Sequence, residues 1–298
     1  MVHIELVHHM HSVMQDDFIF QFGEEDSRNA WQGVFQQALT APYLMHELLS
    51  FSALHLSIKR PDRRDFYKYQ ATELQTYALS LFNNSVVDAT TPLPAFLFSS
   101  MLGSHVLHEA MCSGGEDFGP FLDKFVGYLQ LARGVRMQID ECSWDSMGQT
   151  SFRPFVEAGN KIPDGREASA PELAELETLL ESTDISASSL EVYQQVLERL
   201  KGAYQAQSMN TDGSYATAIS SIFAWPILAP SEYTDLLMQR RPEALAILAH
   251  YAVLLHHHRN VWIFGNGGRS LIESISKYLG AYWTKWLSLP ISILDSSP

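Results

Sequence analysis

The residues best able to do chemistry in this chain of 298 are its twelve histidines, several of them close together: His8, His9 and His11, then His105 and His108, then His256, His257 and His258. Neighbouring imidazoles raise the question of a metal. On a helix only residues three or four apart share a face, so three consecutive histidines point in three directions. His8 with His11, and His105 with His108 followed by Glu109, can share one. A His-x-x-His pair alone lacks the third ligand and the carboxylate that make zinc motifs specific, so no metal and no cofactor is expected.

His46, His55, His105, His108 and His250 are more telling, because each interrupts an otherwise apolar helical stretch. Such a ring either bonds to nearby backbone or tyrosine, or converges on a mainly apolar pocket to orient a lipophilic ligand or move a proton. The pocket reading takes Phe51, His55, Phe98, Met101, His105, Tyr251 and Leu255 as candidate ligand-binding residues, with His55 and Tyr251 as its polar members. No catalytic residue is assigned. Gly-x-Ser-x-Gly does not occur, and neither Ser113-Gly114-Gly115 nor Gly103-Ser104-His105 has the strand–turn–helix setting of a hydrolase nucleophile. Gly265-Asn266-Gly267-Gly268 follows a helix instead of the strand that a phosphate-binding loop requires, and Ser270 stands at the third glycine.

The elements that position these residues are helical. Pro42 is tolerated in a first turn, Leu44, Leu48, Phe51 and Ile58 follow at helical spacing, and Met45, Leu49 and Leu56 interleave with them, which predicts a helix over 42–58 buried nearly all round. A second helix spans 62–82, with Phe66, Tyr69, Tyr77 and Leu81 on its inner side. Thr91-Pro92 reads as an N-cap and first-turn pair opening a helix through Phe96, Met101 and Val106 to Met111. Another covers 118–132. Residues 157–191 are rich in Gly, Pro, Ser, Asp and Glu and read as a flexible acidic insertion. Residues 157–171 read as an exposed loop and 172–204 as one or two peripheral helices, broken near Ser182-Thr183-Asp184. Two final helices, 242–261 and 269–287, form an antiparallel hairpin around the glycines at 265–268. Alternating β-branched strands are absent, so the class is all-α: one multi-helix domain over 1–298.

Composition sets outer limits. With 46% hydrophobic residues the chain reads as soluble and able to bury a large core. A net charge of −14 repels a phosphate backbone, so no direct nucleic-acid contact is expected. Two cysteines, Cys112 and Cys142, point to a reducing compartment, nuclear or cytoplasmic, and are too few for a thiolate zinc module. No stretch reaches the length of a membrane span.

Several local patterns, in order, resemble one family. His8-His9 is similar to the His-His that opens its domains, and Ala38-Leu39 followed by Pro42-Tyr43-Leu44-Met45-His46-Glu47-Leu48-Leu49 looks like its signature helix. Tyr67 with Ala71, Arg133-Gly134-Val135-Arg136 with Trp144, Trp225-Pro226 and Arg240-Arg241-Pro242 continue the series. Together these resemble the fungal-specific transcription-factor regulatory domain, the kind found in sterol uptake control proteins. The resemblance implies a helical fold that binds a sterol or another lipophilic small molecule, often as a homodimer. It departs from the family in having no six-cysteine cluster and in carrying Asn266 where an aromatic residue is common. The expected function is a ligand-sensing regulatory domain without its own DNA-binding module. The alternative is a stand-alone enzyme reusing the pocket for acid–base chemistry on a hydrophobic natural-product intermediate. Trp283 and Trp286 read as core residues or as anchors of a dimer interface.

Overall fold

The computed structural model describes residues 2–13, 22–85, 92–113, 117–136, 141–182, 185–209 and 214–296, and among them there is no strand. In chain order the α-helices are α1 (Val2–Ser12), α2 (Glu24–Thr40), α3 (Pro42–Lys59), α4 (Arg64–Asn84), α5 (Leu93–Cys112), α6 (Phe118–Arg136), α7 (Glu141–Met147) and α8 (Arg153–Asn160). They continue as α9 (Ala174–Ser182), α10 (Ala187–Ser208), α11 (Ser214–Leu228), α12 (Ser231–Met238), α13 (Pro242–His257), α14 (Gly267–Leu279) and α15 (Ser288–Ser296). The all-α class holds. Thr91, the Thr183-Asp184 break and Gly114-Gly115 lie outside the described residues.

Contacts gather these helices into two units, residues 1–105 with 134–160, and residues 106–133 with 161–298. Each is organised around a helix buried on every face. In the first unit that helix is α3, where all residues from Glu47 to Ser57 are buried. Helices α1, α2 and α4 pack around it. In the second it is α13, buried without interruption from Ala244 to His256 and contacted by α9, α10, α12, α14 and α15. A helix buried on every face has no solvent-facing side to offer, so it becomes the core and the others arrange themselves about it.

The inner face of α4 is not the one that its large aromatics suggest. Tyr67, Ala71, Leu74 and Ala78 are buried, whereas Tyr69 is 60% exposed and Tyr77 52%. The small side chains at 71 and 78 let the α4 backbone come close enough for Ser50 Oγ to donate to the Ala71 carbonyl at 2.8 Å. Two tyrosines at the seam would hold the helices apart. Tyr67 instead sends its hydroxyl out of the core to Glu5 Oε1 at 2.8 Å, beside Arg60.

Differences at the other elements also trace to glycine. The last long helix ends at Leu279, because Gly280 takes φ 73°, and a 3-10 turn over Ala281–Leu287 leads into α15. Tyr278 and Tyr282 are accordingly exposed, at 48% and 79%. Between α13 and α14 the glycines do two jobs. Gly265 supplies the positive φ, 45°, that turns the chain. Gly268 sits where a Cβ would lie 2.6 Å from the His256 amide nitrogen and 2.8 Å from the Ala252 carbonyl oxygen, so it sets how closely the hairpin closes. The polar middle of the chain is also better anchored than its composition implies. Gly165 is buried against the Glu198 backbone, and Gly202 lies under the Pro163 carbonyl. Leu173, Leu176, Leu179 and Leu180 are all buried, and Lys201 pairs with Glu177.

Gly268→Ala should therefore lower the unfolding free energy by about 1–3 kcal/mol through overpacking. Gly127→Ala, on an exposed face of α6 with no atom within 4 Å of the new Cβ, should raise it by about 0.4–1 kcal/mol. Urea titration of the two variants checks both signs.

Candidate functional site

A fully buried helix that carries polar side chains must find each of them a partner, and α3 carries five: Glu47, Ser50, Ser52, His55 and Ser57. Ser52 Oγ donates to the Leu6 carbonyl on α1 at 2.9 Å, and Ser57 Oγ turns back to Leu54 at 2.6 Å. His55 Nδ1 meets His9 Nε2 of α1 at 3.0 Å, the rings tilted at 34°. One ring donates its N–H and the other offers its lone pair, so the two share a proton. At the other end, His105 Nδ1 lies 3.6 Å from Glu47 Oε1 and 3.4 Å from Ser50 Oγ. Because Ser50 donates onward to Ala71, its oxygen is free to accept from His105. The side chains of Glu47 and His105 are 0% and 1% exposed. An acid and a base thus face each other in an otherwise apolar interior, where electrostatic interactions are strong and an unpaired charge is costly.

Beside this pair stands an aromatic wall. Phe98 of α5 stacks on Phe82 of α4, with centroids 4.5 Å apart, and meets Tyr43 of α3 edge-on at 5.4 Å. Burial raises the Tyr43 phenol above its ordinary value, so it stays a neutral donor. Phe98, Met101 and His105 follow one another at helical spacing on α5, and Met101 is half-buried at this face. Five of the seven candidate residues, Phe51, His55, Phe98, Met101 and His105, therefore belong to the first unit. His55 and His105 do not meet there. His55 and Glu47, the partner of His105, are eight residues apart on α3, about 12 Å along the axis.

Tyr251 and Leu255 belong to the second unit, both on α13 and both 0% exposed. Tyr251 has a structural task that accounts for its position. Pro226 lies inside α11 and has no amide hydrogen, which leaves the Ile222 carbonyl without its helical donor. Tyr251 supplies that donor from 3.0 Å, with its ring stacked on Trp225 at 4.2 Å. Tyr204 and Tyr233 serve the His250 and Ala244 carbonyls in the same way, at 2.9 and 3.0 Å. Burial pushes all three phenols up, so the donors persist across the neutral range. His250 is the opposite case. Its Nδ1 bonds the Ala246 carbonyl at 2.9 Å, and burial pulls its pKa down to about 4.

A groove of about 550 Å³ lies elsewhere in the first unit, lined by His11, Asn29, Gln32, Gly33, Phe35, Gln36 and Ser151. None of the seven candidates lines it. The sequence reading considered His11 only as a metal partner of His8, and the amide pair Gln32/Gln36 at helical spacing was the signal passed over. Among the described residues no group of three or more potential ligands could hold a metal ion.

Tyr251→Phe should cost about 1–3 kcal/mol by orphaning the Ile222 carbonyl. In a Pro226→Ala background, where an amide N–H returns, the cost should shrink; a double-mutant cycle with equal costs in both backgrounds would remove the argument. His250 adds a pH dependence. Its folded pKa lies below the free value of about 6.5, so its stabilising effect is complete above that pH and is lost as pH falls toward about 4. The slope is about 1.4 kcal/mol per pH unit in that window, and His250→Leu should remove it from denaturation curves measured between pH 7 and 4.5.

Residues 6–149 match the family described as the fungal specific transcription factor domain. Over 331 aligned positions the chain is also 24% identical to a "Zn(2)-C6 fungal-type transcription factor" of Gibberella zeae, the alignment covering 100% of this chain and 63% of that protein. The chain thus spans about 63% of the length of the curated relative it matches.

Proposed function

From the premise that residues 6–149 carry the fungal specific transcription factor domain, we propose that this chain is a ligand-sensing regulatory region that binds a lipophilic small molecule of sterol or natural-product kind. The observation that supports the reading is the Glu47–His105 pair, buried beside the Tyr43–Phe82–Phe98 wall. A mainly apolar surface with a few convergent polar groups is how proteins orient a lipophilic molecule carrying one hydroxyl or carbonyl. Met101, half-buried and unbranched, is an adaptable side chain at helical spacing from Phe98 and His105 on α5.

The mechanism is a shift in population. A ligand that binds one arrangement of α3, α4 and α5 better than another moves the equilibrium by its difference in affinity, and by no more. The two cysteines of this sequence are too few for the six-cysteine cluster in the relative's name, and the charge of −14 disfavours phosphate, so this reading gives the chain no direct contact with DNA. It acts as a homodimer, in the nucleus or cytoplasm, with Trp283 and Trp286 beside the exposed Tyr282 as interface anchors. No helix among the described residues is long and apolar enough to cross a membrane.

The alternative, a stand-alone enzyme, draws on the same Glu47–His105 pair as base and acid. One experiment separates the two. Purified protein is incubated with a fungal lipid extract, re-isolated, and its bound compounds identified by mass spectrometry. Sensing predicts one compound class retained unchanged, with at least tenfold less retained by Glu47→Gln or Phe98→Ala protein of native circular dichroism. A compound consumed, with a new mass in its place, would transfer the site to the enzyme reading. No retention by folded protein would reject both.

A further inference from the structure

The groove along α2 has no part in the site proposed above, and its lining is of one chemical kind. Its floor is a row of carboxamides, Asn29, Gln32 and Gln36, on the face of α2 opposite the buried Ala30, Trp31, Val34 and Ala38. At 1.5 Å per residue the row is about 10 Å long. Gly33 keeps the floor flat and lets the turn before α8 close in as one bank. A Cβ at that position would lie 2.3 Å from Ser151 Oγ and 3.2 Å from the Phe152 ring. The other bank is the end of α1, where the His11 ring meets Phe35 edge-on at 4.7 Å.

The polar side chains of this lining are unspent. Among the described residues, Asn29, Gln32, Gln36, His11 and Ser151 make no hydrogen bond or ion pair within the protein. Carboxamides elsewhere do structural work: Gln207 ties α10 to α11 through the Ala218 carbonyl and Ser221, and Gln205 accepts from the Ser169 amide. The groove therefore offers donors and acceptors to something outside the chain. A lipophilic molecule would strip water from them and give no hydrogen bond back. An ion would find no Lys, Arg, Asp or Glu on the lining, and the net charge of −14 repels an anion. A nucleobase edge pairs with one carboxamide, not with a row of three. An extended peptide turns its N–H and C=O groups to one side at every second residue, about 6.6 Å apart, which does not match steps of about 4.5 and 6 Å along the row.

We propose that this groove binds a neutral oligosaccharide of two or three units. A carboxamide sets donors and an acceptor side by side, and each sugar hydroxyl can answer either, because it both donates and accepts. Hydroxyls spaced closely along a sugar chain meet every step of the row. Gln32 and Gln36 hold the centre, Ser151 and His11 bond from the two banks, and the C–H face of one ring covers Phe35. A groove of about 550 Å³ falls within the size of small-molecule sites. Each new bond replaces one to water, so the affinity is modest, as suits a ligand present at high concentration. The site does not rest on the lipophilic-ligand reading, and it gives the first unit a second, polar input.

The test is saturation-transfer NMR on the full chain, with maltotriose, cellotriose and triacetylchitotriose as probes. At least one should bind with a dissociation constant of about 1 mM or tighter. The double variant Gln32→Ala/Gln36→Ala changes only exposed side chains, keeps the native circular dichroism, and should weaken that binding about tenfold. Raising the salt to about 0.5 M should leave the affinity unchanged, because no charge takes part. No transfer from any of the three probes overturns the proposal. So does transfer that persists in the double variant, which would put the contact elsewhere, or affinity that falls with salt. Stronger transfer from an acetylated and amidated tetra-alanine peptide would also overturn it and make the groove a peptide site.

Discussion

A helix enclosed on every side must find partners inside the protein for most of its polar atoms, and both units of this protein are built on that constraint. In the first, four of the five buried polar residues of α3 each select a neighbouring helix, while Ser57 bonds within α3. Ser52 and His55 bind α1, Ser50 binds α4, and Glu47 reaches His105 on α5. These bonds contribute little net stability, since each replaces a bond to water. Their effect is on specificity: a slip of α1 or α4 by one residue would strand a buried hydroxyl or imidazole, at a cost well above what the bond is worth. The apolar surface makes α3 the core, and the polar residues decide which helix lies against which of its faces.

The second unit meets the same constraint with a different set of donors. Here α13 is nearly all hydrocarbon, and the side-chain bonds fall on backbone carbonyls, one of which, Ile222 of α11, is freed by Pro226. Long tyrosines reach across to these carbonyls, and burial keeps their phenols protonated. Rings and hydroxyls thus serve packing and hydrogen bonding together. A tyrosine deep in a helical core is therefore weak evidence of a binding site until its hydroxyl has been traced. Traced, Tyr251 belongs to the scaffold, whereas the Glu47–His105 pair holds two ionisable groups of opposite kind where an apolar interior would have been simpler to build.

Much of this was legible in the sequence wherever hydrophobic spacing and chain breakers agreed. The bounds and all-round burial of α3 follow from interleaved leucines after Pro42, and the helical class follows from the absence of alternating strands. The inner face of α4 did not follow. Large aromatics drew attention to Tyr69 and Tyr77, while the seam runs through Ala71 and Ala78, whose importance lies in how little space they fill. Tyr67 and Ala71, noted only as part of the family resemblance, lie on the buried face. Helix α2 was missed altogether, although Ala30, Trp31, Val34 and Ala38 recur at helical spacing behind the acidic first turn Glu24-Glu25-Asp26. The pairing of His9 with His55 joins residues 46 apart, and no local pattern encodes it.

The crossing of residues 163–165 over α10 shows how composition can mislead about exposure. That segment has the proline, glycine and charge of a surface tether, yet Gly165 and Gly202 let two backbones touch, and Ser169 donates its amide to Gln205 at 3.1 Å. A protease must draw several consecutive residues into its cleft, and here they are held against a helix by contacts that no side chain announces. The stretch that looks easiest to cut should resist digestion for as long as α10 stays folded, and its cleavage would then report the unfolding of α10.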